Sequence, residues 1–152
     1  MEAFRLVKAR YDPLDPEGAR RYGGRWNSRG TAVLYAADTI ALAMLEKLVH
    51  LHRLEALAMF RLCTLQLPDE AILPLAETAL PPDWQADPPT PATQAIGDQW
   101  VREQASLALT VPSVLVPRQR NLLINPTHPD FPALREGLEV EPFQFDPRLI
   151  AR

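Results

Sequence analysis

The sequence predicts a single α+β domain, residues 1–152, in which short strands are mixed with two or three helices. Three observations support this prediction. A chain of 152 residues has the usual size of one domain. Apolar residues make up 47% of it, which is enough to bury a core without disulfides or metals. Finally, the predicted strands and helices do not alternate regularly, as they would in a parallel βαβ fold.

The N-terminal half should contain three strands and one long helix. Residues 4–11 and 59–67 alternate between apolar and polar side chains, which is typical of strands. Between them, residues 12–24 read as a loop because they hold two Asp-Pro pairs and three glycines. Residues 32–37 form a short strand, and Asp38 or Thr39 caps a helix that continues to about residue 53.

The C-terminal half should be more irregular. Residues 68–91 are rich in proline and lack periodicity, so they form a long loop of the kind that is often functional or mobile. Thr90-Pro91 then starts a helix that runs to about residue 104. Residues 106–116, interrupted by Pro112, predict two short strands or one bent edge strand. The remaining elements are a strand at 122–124, a turn at 128–134 and a final strand flanked by Phe143 and Phe145.

Composition argues against several classes of function. A net charge of -3 gives no reason to expect direct nucleic-acid binding. The chain has one cysteine, Cys63, so it can form neither an internal disulfide nor a cysteine-based zinc site, and we expect no metal. The longest apolar stretch, residues 40–51, is interrupted by charges and too short to span a bilayer, and the N-terminus does not resemble a signal peptide. We therefore expect a cytoplasmic protein that does not contact membranes.

Glu46 lies in an otherwise apolar helical segment and has two interpretations. A carboxylate on a largely buried helix needs a partner, because an unpaired buried charge is costly. Spacing alone, however, favours a solvent-facing Glu46 that pairs with His50 one turn later.

Other polar residues have equally ordinary explanations when taken one at a time. Arg25 follows two glycines and could bind phosphate, but a surface ion pair is the commoner fate of such a side chain. Arg5 alternates with apolar neighbours and points to solvent or into a cleft. Tyr35 suits strand packing, and Ser113 follows a predicted strand break without a Gly-x-Ser-x-Gly elbow.

Taken together, these segments resemble the RES-domain family, the toxin halves of bacterial RES–Xre toxin–antitoxin pairs. The resemblance covers most of the chain. It rests on an ordered set of motifs: Phe4-Arg5-Leu6-Val7, Gly24-Arg25-Trp26-Asn27, Leu34-Tyr35-Ala36-Ala37, the helix around Glu46, Val111-Pro112-Ser113 and Asn121-Leu122-Leu123-Ile124-Asn125-Pro126. The Arg, Glu and Ser that give the family its name map onto Arg25, Glu46 and Ser113.

The resemblance implies a fold similar to ADP-ribosyltransferase toxins and the consumption of NAD+ by hydrolysis or phosphorolysis. NAD+ would be the substrate, inorganic phosphate a candidate co-substrate, and no prosthetic group is expected. The implied catalytic residues are Arg25, Tyr35, Glu46 and Ser113. Arg5, Arg25, Tyr35 and Ser113 would bind NAD+.

The resemblance also implies an Xre-type antitoxin that covers the NAD+ cleft, and a homodimer by analogy. Two alternatives remain open. The chain could transfer ADP-ribose to a protein, or it could be a non-catalytic module that binds a partner. In the family reading, Trp26, Asn27, Asn121 and Asn125 keep structural roles.

Overall fold

The computed structural model describes residues 1–150. Seven strands form one sheet: β1 (Glu2–Lys8), β2 (Leu34–Ala37), β3 (Phe60–Gln66), β4 (Ile72–Pro74), β5 (Ala108–Pro112), β6 (Arg120–Ile124) and β7 (Glu139–Phe143). Four α-helices accompany them: α1 (Glu17–Tyr22), α2 (Ile40–Leu48), α3 (Arg53–Ala56) and α4 (Pro91–Glu103). Single 3-10 turns lie at Asp69–Ala71, Glu77–Ala79, Phe131–Arg135 and Pro147–Leu149. The α+β prediction is confirmed.

The strands follow the order β4-β5-β6-β2-β1-β3-β7 across the sheet. Neighbouring strands are antiparallel, except that β4 runs parallel to β5. This order brings β2 and β6 side by side near the middle of the sheet, although more than eighty residues separate them in the sequence. Residues of β2 and β6 can therefore contribute to one site.

One face of the sheet, called here the helical face, carries α2 and α4. Register pairs Tyr35 of β2 with Leu123 of β6, and Leu123 with Leu109 of β5. These three side chains pack in one apolar cluster with Trp100 and Val101 of α4. The helix α4 thus covers the β5–β6–β2 part of the helical face.

The helix α2 covers the adjacent part of the same face. Ala37 lies two residues after Tyr35 on β2, so both side chains point to one side of the sheet. Ala37 packs against Leu42 and Ala43 of α2, with Phe4 of β1 beside them. The two helices therefore cover adjacent parts of this face, and the region above β2 between them is called here the gap between α2 and α4.

The opposite face is closed by loops rather than by helices. Its core is an apolar cluster drawn from β1, β2, β3, β5 and β6 and from the segments that cross them, which includes Ala3, Leu14, Leu34, Ala36, Leu65, Leu67, Leu107, Ala108, Leu122, Ile124 and Leu134. This side of the sheet is filled by hydrophobic packing.

The prediction of an uninterrupted loop over residues 12–24 is wrong, because α1 lies within it. The six residues of α1 are too few to show a helical period. An ion pair between Glu17 and Arg20 one turn apart supports the helix, and Gly23 ends it at a positive φ of 73°.

The helix predicted to continue to about residue 53 ends at Leu48. Thr39 caps it as predicted, since its hydroxyl accepts a hydrogen bond from the Leu42 amide at 3.1 Å. A second helix, α3, starts at Arg53, where Glu55 accepts a hydrogen bond from the His52 amide at 3.3 Å. This separate cap divides one apolar stretch into two helices.

Three further predictions need correction, one of a loop and two of strands. The long loop over residues 68–91 contains β4, whose three residues are recognisable only through their pairing with β5. That pairing makes β4 the edge strand, so β5 is a single interior strand that ends at Pro112. The last strand ends at Phe143 and does not lie between Phe143 and Phe145. The helix from Thr90-Pro91 is confirmed, with α4 ending at Glu103.

Candidate active site

Glu46 lies on α2 and is held through one of its two carboxylate oxygens. Ser113 donates its hydroxyl proton to Glu46 Oε1 at 2.7 Å, and Asn121 donates from Nδ2 to the same oxygen at 2.8 Å. The side chain is half-buried. Within residues 1–150, Oε2 makes no hydrogen bond and is not buried. Glu46 therefore presents a fixed carboxylate with one oxygen open to a ligand, and it does not pair with His50.

Ser113 is placed by the end of β5. Pro112 closes that strand, and the chain then turns toward β6. The Ser113 hydroxyl accepts hydrogen bonds from the amides of Leu115 and Val116, each at 3.1 Å. Because both amides donate to this oxygen, the single hydroxyl proton is directed to Glu46. Ser113 has no exposed surface, so it acts here through Glu46; direct contact with NAD+ stays a prediction.

Asn121 is the residue of this group that sequence reasoning left as structural. It lies on β6 between Ala37 of β2 and Val111 of β5. Its amide oxygen is buried and makes no hydrogen bond to the part of the chain that the structure describes. The available signal was a polar residue directly before three fully buried apolar residues of the same strand, Leu122 to Ile124.

Tyr35 lies on β2 two residues before Ala37, and its side chain points to the same face of the sheet. Its hydroxyl donates to Asn27 Oδ1 at 2.6 Å and accepts from the Trp26 amide at 3.1 Å. Burial raises the pKa of Tyr35 well above its usual value, so the hydroxyl keeps its proton and remains a donor. Gly24 fits against it: a Cβ at this position would lie 2.7 Å from the tyrosine oxygen. The glycine before Arg25 thus makes room for Tyr35.

The strand β2 connects the position of Tyr35 to the position of Asn121, which holds Glu46. Ala37, which pairs with Asn121, follows Tyr35 by two residues on the helical face. Side chains two residues apart on a strand are separated by roughly 7 Å. The side chains of Tyr35 and of Asn121, which holds Glu46, therefore point to the same face of the sheet, toward the gap between α2 and α4.

Arg25 is held by the long loop. Its Nη1 donates to the backbone oxygens of Trp84 at 2.9 Å and Ala86 at 2.7 Å. The Nε and Nη2 atoms donate to no residue within 1–150. The edge of the guanidinium that they form is therefore available, and its geometry suits an oxyanion. The positive charge of Arg25 also opposes the rise in the pKa of Tyr35, as expected of groups that lie close together.

Arg5 is tied to the backbone. Its guanidinium donates to the carbonyl oxygens of Pro13 at 2.9 Å, Tyr35 at 3.1 Å and Asp15 at 3.2 Å. The strands β1 and β2 pair only at Phe4 and Ala37, and the hydrogen bond from Arg5 to the Tyr35 carbonyl adds a second link between them. Burial lowers the pKa of Arg5 to about 10, which still leaves it charged at neutral pH.

This arrangement gives Arg5 a definite structural task. On β1, the Arg5 side chain points to the face opposite to Phe4. From that face it binds the backbone of β2 at the Tyr35 carbonyl. The predicted contact between Arg5 and a pyrophosphate stays a prediction.

Asn27 joins the turn to the strand. It is fully buried, and its Nδ2 donates to the carbonyl oxygens of Ala19 at 2.8 Å and Thr31 at 2.9 Å. Its Oδ1 accepts the proton of Tyr35. The sequence predicted a structural role for Asn27, and in the structure that role includes fixing the tyrosine hydroxyl.

Other parts of the molecule offer less for chemistry. No group of three or more His, Cys, Asp or Glu side chains within residues 1–150 is arranged to hold a metal ion. A shallow cavity of about 210 Å³ lies elsewhere, lined by Leu48, Leu51, Arg53, Ala56, Leu149 and Ile150. Among the described residues, every helix is too short or too polar to cross a bilayer.

Comparison with known proteins identifies the same family over nearly the whole chain. Residues 2–146 match the family model of the RES domain. A Yersinia enterocolitica protein named Toxin Res is 40% identical over 151 residues, which cover 98% of this chain and 99% of the relative. A Sphingobium protein named Prs ADP-ribosylating toxin is 42% identical over 146 residues, covering 93% and 89%.

A solved structure shares the fold. The crystal structure of the M. tuberculosis MbcT-MbcA toxin-antitoxin complex contains a chain that matches with a TM-score of 0.72 and 23% identity. The match covers 99% of this chain and 86% of that chain. At this identity the likeness supports the fold alone.

Proposed function

The chain belongs to the RES domain family, and from this membership we propose that it is the toxin of a toxin–antitoxin pair that cleaves the bond between nicotinamide and ribose in NAD+. The observation that carries the proposal is the state of Glu46. One carboxylate oxygen is fixed by Ser113 and Asn121, and the other makes no hydrogen bond within residues 1–150 and is not buried. Loss of NAD+ from the cell would then explain toxicity.

The chemistry needs a fixed negative charge. Breaking the nicotinamide–ribose bond builds positive charge on the ribose, as in the cleavage of a glycoside. Glu46 Oε2 would accept a hydrogen bond from a ribose hydroxyl and stabilise that charge at short range. Because Oε1 is already held by two donors, the carboxylate does not need to reorient as the charge develops.

The remaining site residues would bind and orient the dinucleotide. The open edge of Arg25 suits bidentate hydrogen bonds to a pyrophosphate oxygen pair. The ring of Tyr35 would pack against the nicotinamide, while its hydroxyl is already engaged by Asn27. Nicotinamide leaves as a neutral molecule, so the reaction asks for little general-acid help. Water or inorganic phosphate would attack the ribose carbon that nicotinamide leaves, which gives ADP-ribose or its 1-phosphate.

A Glu46→Gln variant tests this proposal. Gln keeps the shape but removes the negative charge, so we expect NAD+ consumption to fall by about 100- to 1000-fold. The measurement is release of nicotinamide by purified protein, with and without inorganic phosphate, followed by chromatography. Unchanged thermal unfolding would show that the loss is chemical.

Glu70→Gln is the matched control, because Glu70 is exposed and belongs to a short turn away from the site. It should keep wild-type activity and wild-type toxicity. Nicotinamide release by Glu46→Gln at the rate of this control would refute the assignment of Glu46. Wild-type protein that leaves NAD+ intact under both conditions would favour the non-catalytic, partner-binding alternative.

A second candidate function is transfer of ADP-ribose to a protein. It is favoured by the relative named Prs ADP-ribosylating toxin, which is 42% identical. Incubation with NAD+ labelled in the adenine moiety separates the two. Label on a protein band supports transfer, whereas free ADP-ribose or its 1-phosphate supports degradation.

The proposal extends to the partner. A chain of similar fold was solved as a toxin-antitoxin complex, which supports an antitoxin for this protein. We propose that the antitoxin is of the Xre type, that it covers the gap between α2 and α4, and that it carries any DNA-binding surface. A homodimer is proposed by analogy.

A further inference from the structure

The turn that carries Arg25 is packed against one face of α4. Gln94 donates from Nε2 to the carbonyl oxygen of Gly24 at 3.0 Å. One turn later, Gly97 lies directly under the backbone of Trp26, where a Cβ would come within 1.6 Å of the carbonyl oxygen. These contacts flank Arg25 on both sides in sequence, so the backbone around it is set by α4.

Asp98, on the same side of α4 as Gln94 and Gly97, makes the third contact with the turn. Its Oδ1 accepts a hydrogen bond from the Ser28 amide at 2.9 Å, and its Oδ2 accepts the proton of the Ser28 hydroxyl. Both oxygens of the carboxylate thus bind one residue that lies seventy positions away in the sequence. Hydrogen bonds to an ionised group are stronger than neutral ones. Asp98 is therefore the strongest polar link between α4 and the turn.

The Asp98 charge also reaches the site. It contributes to the raised pKa of Tyr35, after burial, as a nearby negative charge does. Tyr35 in turn contacts the Trp26 amide and Asn27, two residues of the same turn. The Asp98 carboxylate thus acts on both residues: it holds the turn that carries Arg25, and its charge contributes to the raised pKa of Tyr35.

We propose that Asp98 is a positioning residue for binding of the dinucleotide. By holding Ser28 it fixes the turn, so that the open edge of Arg25 points into the gap beside Tyr35. This inference rests on the proposed function, because it assumes that Arg25 binds the pyrophosphate. Asp98 does not touch the ribose centre, so its effect belongs to substrate binding rather than to bond cleavage.

The test is Asp98→Asn, studied by NAD+ consumption. The amide of Asn places a donor toward Ser28 where an acceptor is needed, and it removes the charge. We expect KM for NAD+ to rise by between about tenfold and a hundredfold, with kcat within about twofold of wild type. Hydrogen exchange of the amides in residues 23–28 should become faster, while exchange in α2 and β6 stays unchanged.

Three further variants complete the experiment. Ser28→Ala removes only one of the two hydrogen bonds and should raise KM less; it also serves if Asp98→Asn fails to fold. Combined with Asp98→Asn, it should add little, because the two side chains form one contact. Glu103→Gln is the matched control on α4, since Glu103 is exposed and contacts Gln99 rather than the turn.

The outcomes are distinct. A raised KM with kcat preserved, together with faster exchange in the turn, supports the positioning role. A wild-type KM in an active Asp98→Asn protein overturns it and leaves the proposed function intact. An equal fall in kcat and kcat/KM overturns it as well, because Asp98 would then act on bond cleavage. Wild-type protein without NAD+ turnover overturns the proposed function, and this inference with it.

Discussion

At the scale of single residues, the site depends on the side-chain amide of Asn121, which lies next to the carboxylate of Glu46. Asn121 donates to Glu46, and the opposite side of its amide is buried without a partner in residues 1–150. From the sequence, Asn121 was predicted to have a structural role only, because turn chemistry explains many asparagines equally well. Only the pairing of β6 with β2 and β5 brings it beneath α2.

Asn121→Asp should change the pH dependence of NAD+ consumption. A second carboxylate at 2.8 Å from Glu46 would repel it, so the two groups would share a proton to a higher pH than Glu46 alone. Glu46 must be ionised to stabilise a positive ribose. We therefore expect low activity at pH 6, with recovery as the pH rises, measured as kcat/KM between pH 5 and pH 9.

Asn121→Ala separates charge from the loss of a donor. It should lower kcat and shift the acid side of the profile less than Asn121→Asp does, because it adds no second negative charge. If Asn121→Asp has the same profile as Asn121→Ala, the added carboxylate does not interact with Glu46, and Asn121 does not contact Glu46 in the protein.

At the scale of elements, the sequence predicts best those that carry their own signals. The helix α4 has Pro91 at its first position, and α2 has Thr39 as its cap, so both starts were predicted. The strand β4 could not be predicted, because its three residues become a strand only by pairing with β5. The end of α2 was missed because apolar residues continue into α3.

Gly97 should be essential for the packing of α4 against the Arg25 turn. In Gly97→Ala the new Cβ would meet the Trp26 carbonyl at 1.6 Å, and this neighbour is backbone that cannot rotate away. We expect the free energy of unfolding to fall by about 3 kcal/mol or more, measured by chemical denaturation.

Gly18→Ala provides the matched control in α1. A Cβ there meets nothing within 4 Å, and alanine is a better helix former than glycine. The free energy of unfolding should stay unchanged or rise by about 0.5–1 kcal/mol. Equal stabilities of the two variants would mean that α4 does not lie against Trp26 as described.

At the scale of the whole molecule, the site is a product of strand order. Glu46 lies on α2, Tyr35 on β2, and Ser113 directly after β5, and they belong to one region of the molecule because β6 joins β5 to β2 in the sheet. Spacing in the sequence contains no information on this order. The grouping of these residues therefore came from the family resemblance, whereas the contact between Ser113 and Glu46 came from the structure.

The proposed antitoxin should compete with NAD+. If it covers the gap between α2 and α4, the proposed antitoxin should raise the apparent KM for NAD+ and leave the rate at saturating NAD+ unchanged. Initial rates of nicotinamide release over a range of NAD+ concentrations measure this. Inhibition that saturating NAD+ does not relieve would place the antitoxin away from the gap.

The attachment of Arg25 has a practical consequence. Its partners at positions 84 and 86 are main-chain oxygens, so the bonds do not depend on which side chains the loop displays. Gln85, between them, is exposed, and the lone native thiol, Cys63, is inaccessible in the core. A cysteine introduced at position 85 therefore offers a selective point for a fluorescent dye, which would report on ligand arrival from directly beside the guanidinium.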